Sequence, residues 1–142
     1  MPWLLDTNIL SEIRRPKPEP KVLAFIAGLH LNQLYISVVT LAELRFGIQR
    51  LNTDSVLRAE LERWLTETIR PMFDGRVLPI TEDIMLRWRV LLEDGRKRGH
   101  TYSQPDLIIA ATALQHGLSV ATRDRSDYDK ADVTVFNPWE AP

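Results

Sequence analysis

Two hydrophobic rhythms alternate along this chain: short unbroken apolar runs, and longer stretches with an apolar residue at every third or fourth position. The first marks buried strands and the second helices with one inward face. Pro2-Trp3-Leu4-Leu5 reads as a short strand that stops at Asp6-Thr7-Asn8, where a helix-like Ile9-Leu10-Ser11-Glu12-Ile13 takes over. Pro16-Lys17-Pro18-Glu19-Pro20 cannot be helix interior, because each proline ring removes a donor and restricts the residue before it, so it is a surface connection. Val22, Leu23, Phe25, Ile26 and Leu29 then recur with helical spacing, followed by the β-prone run Leu34-Tyr35-Ile36-Ser37-Val38.

The alternation continues to the end. Thr40 to Leu51 is helical, with Leu41, Leu44, Ile48 and Leu51 on one stripe, and Thr53 or Asp54 can cap a further helix through Trp64-Leu65. Pro71 and Asp74-Gly75 are expected to break it, before a short strand at Val77-Leu78-Pro79-Ile80. Thr81 caps a long helix with Ile84, Trp88, Leu91 and Leu92 facing inward, ending near Gly95 or Gly99. Ser103-Gln104-Pro105-Asp106 opens a helix over Leu107 to His116 that Gly117 terminates, and strands follow at Leu118 to Thr122 and Val133 to Phe136. Strands alternating with helices imply βαβ crossovers, hence an α/β fold with a largely parallel sheet covered on both faces. Ligand sites in such sheets form beyond the carboxyl ends of the strands. Asp6 and Asp124 both follow apolar strands, and Glu43 and Asp106 fall in the first turns of helices that can begin on the same edge.

Composition narrows the options without choosing among them. The 142 residues suit a single domain spanning 1–142, and 44% hydrophobic with 26% charged residues is ordinary for a folded globular protein. A net charge of -1 gives no whole-molecule field toward nucleic acid, so a polyanion would have to meet a local patch. The absence of cysteine rules out disulfides and thiolate metal sites, leaving oxygen as the ligand for any metal. Met1-Pro2-Trp3 shows no basic leader and no apolar run approaches the ~20 residues that span a bilayer, so a cytoplasmic protein is expected.

Each of the four acids has an ordinary structural role on offer. Asp6 can cap the following helix, Thr40-Leu41-Ala42-Glu43 fits a capping box, Asp106 suits the positive end of a helix, and Asp124 sits in a polar turn. Their conjunction is harder to explain that way. Gathered at one edge, four carboxylates repel one another unless a cation neutralises them, and Mg²⁺ or Mn²⁺ accepts carboxylate and water oxygens while leaving positions for a phosphate. Metal-assisted phosphodiester hydrolysis is the natural reaction for such a set.

Four segments together resemble a known family: Leu5-Asp6-Thr7-Asn8-Ile9-Leu10-Ser11-Glu12, Ser37-Val38-Val39-Thr40-Leu41-Ala42-Glu43-Leu44, Pro105-Asp106-Leu107-Ile108-Ile109-Ala110-Ala111 and Thr122-Arg123-Asp124. In order and spacing they look like a PIN domain of the VapC and FitB type, the toxin ribonucleases of bacterial toxin-antitoxin modules, over nearly the whole chain. The resemblance implies a PIN-like three-layer fold, Mg²⁺- or Mn²⁺-dependent RNA cleavage, a homodimer, and inhibition by a cognate antitoxin whose tail enters the acidic cleft. It also implies Asp6, Glu43 and Asp106 as core acids, Asp124 as the fourth, and Thr7 or Asn8 as support, with Asp127 able to share or replace the role of Asp124.

From the residues themselves, Asp6 and Asp106 are the best direct ligands, Glu43 acts directly or through water, and the hydroxyls of Thr7 and Thr122 orient carboxylates. No histidine among His30, His100 and His116 stands as an obvious general base. For substrate contact, Arg14, Arg15 and Lys17 beyond the first motif, and Arg123 and Arg125 around Asp124, are better placed than Arg96-Lys97-Arg98, which closes a helix. Trp64 and Trp88 have the apolar neighbours of core or dimer-surface residues, whereas Trp139 has no evident role. Two rivals remain: a receiver-type regulatory domain, which lacks here the Lys it needs after a late strand, and a catalytically silent RNA- or protein-binding module of the same fold.

Overall fold

The computed structural model describes residues 1–142. Five strands, β1 (Trp3–Leu5), β2 (Leu34–Ser37), β3 (Val77–Leu78), β4 (Ser119–Ala121) and β5 (Val135–Phe136), form one sheet in the order β3-β2-β1-β4-β5. Every pairing is parallel, so the expected α/β architecture is realised with no antiparallel strand. The chain builds outward from β1 to β3, then returns to the other side of β1 for β4. The topological switch therefore lies between β1 and β4, where Leu5 pairs with Ala121. In a parallel sheet this crevice beyond the strand ends is the natural ligand site, and Asp6 and Thr122 are the residues that emerge into it.

Strand alternation divides the core into two layers. Leu5, Leu34, Ile36 and Ala121 face the helices α1 (Thr7–Arg14), α2 (Pro20–Ala27), α3 (Val38–Gln49) and α4 (Val56–Trp64), whose Ile9, Leu10, Val22, Leu44 and Ile48 complete one cluster. Leu4 and Val120 face the opposite way, against Leu107, Ile109, Ala110 and Ala113 of α7 (Gln104–His116) and Tyr128 of α8 (Ser126–Lys130). Trp88, Leu91 and Leu92 of α6 (Glu82–Lys97) close that side. Burying each such Leu or Ile contributes about 1.5–3 kcal/mol, which is why β1 is held rigidly on both faces. No helix is long and apolar enough to cross a membrane.

Several local expectations change. Ser37, not Thr40, caps α3 by accepting from the Val39 amide at 3.0 Å, so the helix begins earlier and Glu43 falls in its second turn. No capping box forms there, and Glu43 is free for another partner. Ser55, rather than Thr53 or Asp54, caps α4, accepting from the Arg58 amide at 3.2 Å. Pro71 does not break the helix that follows. A π turn over Leu65–Ile69 carries α4 into α5 (Arg70–Met72), with the Arg70 amide bonded to the Leu65 carbonyl. A proline ring collides with the carbonyl four residues earlier in a regular α-helix, and the wider turn relieves that collision. Thr81 caps α6 as expected, but Gly95 lies inside it, where any side chain would collide with the buried Tyr102 ring; Gly99, at φ 73°, marks the end.

Candidate active site

The site is built outward from Asp6. Its backbone leaves β1 in an extended conformation, its amide donates to the Ala121 carbonyl across the sheet at 3.0 Å, and its side chain caps α1 through the Thr7 amide at 2.7 Å. The residue is 5% exposed, and its other oxygen accepts from the Thr122 hydroxyl at 2.7 Å and faces the Tyr128 hydroxyl at 3.2 Å. Burial raises its pKa against the pull of these donors, and the Asp124 charge adds to the rise. The capping role and the placement of a carboxylate at the switch point are thus one and the same.

The remaining acids approach from three directions. On α3, Glu43 accepts from the Thr7 hydroxyl at 2.8 Å, and its pKa is raised by burial, opposed by that bond, and raised again by Asp6. On α7, Asp106 meets the same Tyr128 hydroxyl at 3.4 Å. Its pKa is pushed up to about 7, first by burial and then by the charges of Asp6, Asp124, Asp127 and Glu43. Asp124 follows β4; its amide donates to Thr122 Oγ1 at 3.1 Å and its carboxylate accepts from the Ser126 hydroxyl at 3.2 Å.

Thr122 is the hub of the neutral donors. It gives its proton to Asp6 and accepts from the Asn8 side-chain amide at 3.1 Å, while Asn8 takes the Arg123 amide at 3.3 Å. Thr7 and Thr122 thus donate to Glu43 and Asp6 directly, and Asn8 reaches the acids only through Thr122. Tyr128 is the residue that the hydrophobic pattern concealed. Fully buried, its hydroxyl lies between Asp6 and Asp106, and burial together with those two charges raises its pKa so that it stays a neutral donor. The available signal was a lone aromatic inside the polar run Arg123-Asp124-Arg125-Ser126-Asp127-Tyr128.

Asp127 behaves differently from Asp124. One of its oxygens lies 3.1 Å from His100 Nε2 and the other accepts from the Ser103 amide at 2.9 Å, which supplies the start of α7 that the Ser103 side chain leaves uncapped. Its two oxygens are committed to tying α8 to the start of α7. Glu12 is a further buried acid, but it lies away from the sheet edge: it accepts from the Glu19 amide at 2.9 Å and from Arg15 at 3.3 Å, and the first of these lowers its pKa. Arg15 is thereby directed away from the acidic edge. Arg14 pairs with Glu60 of α4 at 3.7 Å and, with Thr7, Ser11, Glu43, Gly47 and Trp64, lines a cavity of about 260 Å³ opening beside Glu43. Arg123 lies over the Trp139 ring at 5.3 Å, giving that tryptophan a role the sequence did not suggest. Arg96 is paired with Glu93, and Arg98 is bonded to the Lys130 carbonyl, away from the edge.

No lysine or arginine forms an ion pair with Asp6, Glu43, Asp106 or Asp124. Their charge is opposed only by hydroxyls and amides, and an all-oxygen donor set in which burial raises the pKa values of Asp6, Glu43 and Asp106 suits a hard divalent cation. No group of three or more acidic or imidazole side chains is arranged so that together they could hold a metal ion. A cation here fits the open mode usual for Mg²⁺, with one or two carboxylates and otherwise water and phosphate oxygens.

Comparison with known proteins agrees with this geometry. The model of the PIN domain matches residues 3–133. The chain is 42% identical over 136 residues to Toxin FitB of Neisseria gonorrhoeae, covering 96% of this chain and 97% of that protein. It is 37% identical over 137 residues to VapC ribonuclease Y4jK of Sinorhizobium fredii, covering 96% and 97%. Among solved structures, the crystal structure of FitAcB from Neisseria gonorrhoeae superimposes with a TM-score of 0.92 at 40% identity, over 98% of this chain and 99% of that one.

Proposed function

This chain belongs to the PIN domain family, and on that premise we propose that it is a single-domain, Mg²⁺- or Mn²⁺-dependent endoribonuclease. It hydrolyses RNA phosphodiester bonds as the toxin of a type II toxin-antitoxin module, in the cytoplasm, and a cognate antitoxin restrains it. The observation that supports the reading is that Asp6, Glu43 and Asp124 lie near enough to Asp106 for their charges to raise its pKa, with no basic partner for any of the four, in a chain whose relatives are named as a toxin and a ribonuclease.

Asp6 and Asp106 are the principal metal ligands, with Asp124 as the fourth acid and Glu43 acting directly or through water. The metal, when bound, orients and activates water and stabilises charge on the phosphoryl oxygens. The chain's own groups do the positioning. Thr122 and Tyr128 fix Asp6, Thr7 fixes Glu43, and Asn8 fixes Thr122 and the Arg123 backbone. Arg14 and Arg123 flank the edge and provide phosphate contacts. Asp127 serves as the cap that holds α7, and hence Asp106, against α8. A homodimer fits the outer face of α6, where Leu86 is 64% and Val90 51% exposed. The antitoxin presents a basic group to the acidic edge, since a cation is what that edge lacks.

The test is incubation of the purified protein with structured RNAs and Mg²⁺ or Mn²⁺, beside Asp106→Asn. Cleavage by the native chain, abolished by chelator and by the substitution, is the expected result. Cleavage that survives either one contradicts the mechanism, and Mg²⁺-insensitive RNA binding without cleavage indicates a silent module instead.

A further inference from the structure

Farther along α3 from Glu43, toward its C-terminal end, lies a second charged feature of opposite sign. Arg45, Arg58 and Arg70 line a cavity of about 470 Å³, together with Ile48, Thr66 and the single acid Glu62. Glu62 is taken by Arg58 at 3.0 Å, and Arg58 also donates to the Leu51 carbonyl at 2.9 Å. Arg45 and Arg70 have no ion-pair partner, so two guanidinium charges face the cavity uncompensated. Ile48 is shared with the cavity that opens beside Glu43 and Arg14, which makes the two spaces neighbours along one groove between α3 and α4.

The π turn is what assembles this cavity. In an uninterrupted α-helix Arg70 would lie roughly 120° around the axis from Arg58, at about 100° per residue over the intervening positions. The extra residue accommodated between Leu65 and Ile69 takes back about 100° of that rotation. Arg70 thereby returns to the face that carries Arg58 and Glu62, opposite Arg45 of α3. Pro71, by disfavouring regular α geometry at this point, sets the position of the guanidinium just before it.

Two or three guanidiniums around a concave polar space match the forked donor geometry that binds phosphate oxygens. We propose that Arg45, Arg58 and Arg70 form a phosphate-binding subsite that holds the RNA backbone at a phosphate other than the one cleaved, guiding the strand along the α3–α4 groove into the acidic edge. The inference rests on the ribonuclease reading, and it assigns to the proposed enzyme a longer strand contact than the scissile bond.

The experiment compares the native chain with Arg45→Ala/Arg70→Ala on two substrates: a labelled single-stranded RNA long enough to span both cavities, and a dinucleoside monophosphate that occupies the acidic edge alone. For the long RNA, KM rises about tenfold or more with kcat unchanged, the loss expected for charged hydrogen bonds. The slope of log affinity against log salt falls by about 0.7, the value for one phosphate contact on a single strand. Turnover of the dinucleoside monophosphate stays at the native value. Arg45→Lys/Arg70→Lys recovers part of the affinity through its point charges. An unchanged KM for the long RNA overturns the proposal, as does an equal loss on both substrates, which would mean damage to the acidic edge. Weaker capture of an acidic protein partner with RNA affinity intact also overturns it, in favour of a protein-docking patch. If the native chain cuts neither substrate, the ribonuclease reading is what fails; binding of the same RNA to Asp106→Asn, with and without the arginine substitutions, then decides whether the cavity holds phosphate.

Discussion

The acidic edge and the arginine cavity are neighbours along α3 and carry unbalanced charge of opposite sign, yet they are made in opposite ways. At the edge, Asp6 is buried, Glu43 and Asp106 are half-buried and Asp124 is exposed, and neutral donors hold the inner carboxylates: Asp6 by Thr122, Thr7 and Tyr128, and Glu43 by Thr7. In the cavity, Arg45 and Arg70 are exposed and held by no partner. The edge follows from topology, since any chain wound in this strand order brings the residues after β1 and β4 together. The cavity follows from one departure from α-helical geometry. A site that must hold an ion at fixed distances profits from rigidity, while a surface that tracks a flexible strand does not require it.

The strongest way to break this contrast is to remove charge at the rigid end. Asp106→Asn is expected to lower RNA cleavage by at least about 100-fold, because even residues that only orient metal ligands cost ~10–100-fold. The same substitution leaves the metal-free protein equally or more stable, since it relieves a half-buried carboxylate of its repulsion by Asp6 and Asp124. A melting curve alongside the cleavage assay checks both halves, and a large loss of stability would mean that Asp106 is structural.

Tyr128→Phe probes the neutral donor between the acids. It takes away the hydroxyl at 3.2 Å from Asp6 and 3.4 Å from Asp106, and is expected to reduce activity about 10- to 100-fold while costing about 1 kcal/mol of stability. Unaltered kcat with lost stability would leave Tyr128 a packing residue only.

A third test uses pH. Because the folded-state pKa of Asp106 is raised to about 7, its native form prefers the proton; the resulting stability is fully present below the unfolded pKa and is lost as pH rises through about 7. Metal-free protein should therefore be less stable at pH 8 than at pH 5, by about 1–2 kcal/mol once the group's partial exposure is allowed for. Mg²⁺ at pH 8 should restore the loss by binding the folded state. Denaturant melts across that range, with Asp106→Asn as the flat reference, give the answer; a native curve as flat as the variant's contradicts the assigned repulsion.

The smallest effects separate the two acids of the last turn. Asp127→Asn is expected to cost about 1 kcal/mol, through the weakened start of α7, without changing metal affinity. Asp124→Asn should do the reverse, lowering metal affinity with stability held within about 0.5 kcal/mol. Calorimetric titration and melts on the pair settle the assignment, and interchanged results would exchange the two roles.

The sequence disclosed the edge better than the cavity for a physical reason. Asp6, Glu43, Asp106 and Asp124 sit beside apolar runs whose period reveals strands and helices, and strand order then places them. Even there the local detail shifted: Ser37 displaced Thr40 as the cap of α3, which moved Glu43 out of the first turn and released it to Thr7. Tyr128 was hidden because its hydrophobic ring reads as core while its hydroxyl does the work. Arg70 was hidden because helical periodicity puts it on the wrong face until the π turn is known, and Pro71 reads as a helix breaker before it reads as the cause of that turn.

Exchange of a proton for a divalent cation at the acidic edge is measured by calorimetric titration of Mn²⁺ in buffers of differing ionisation enthalpy. Near pH 6 about one proton should be released per ion bound, falling toward zero near pH 8.5, because Asp106 must ionise to bind. Asp106→Asn should bind weakly and release none. Binding that is independent of pH and unaffected by the substitution, or no binding at all, would contradict it.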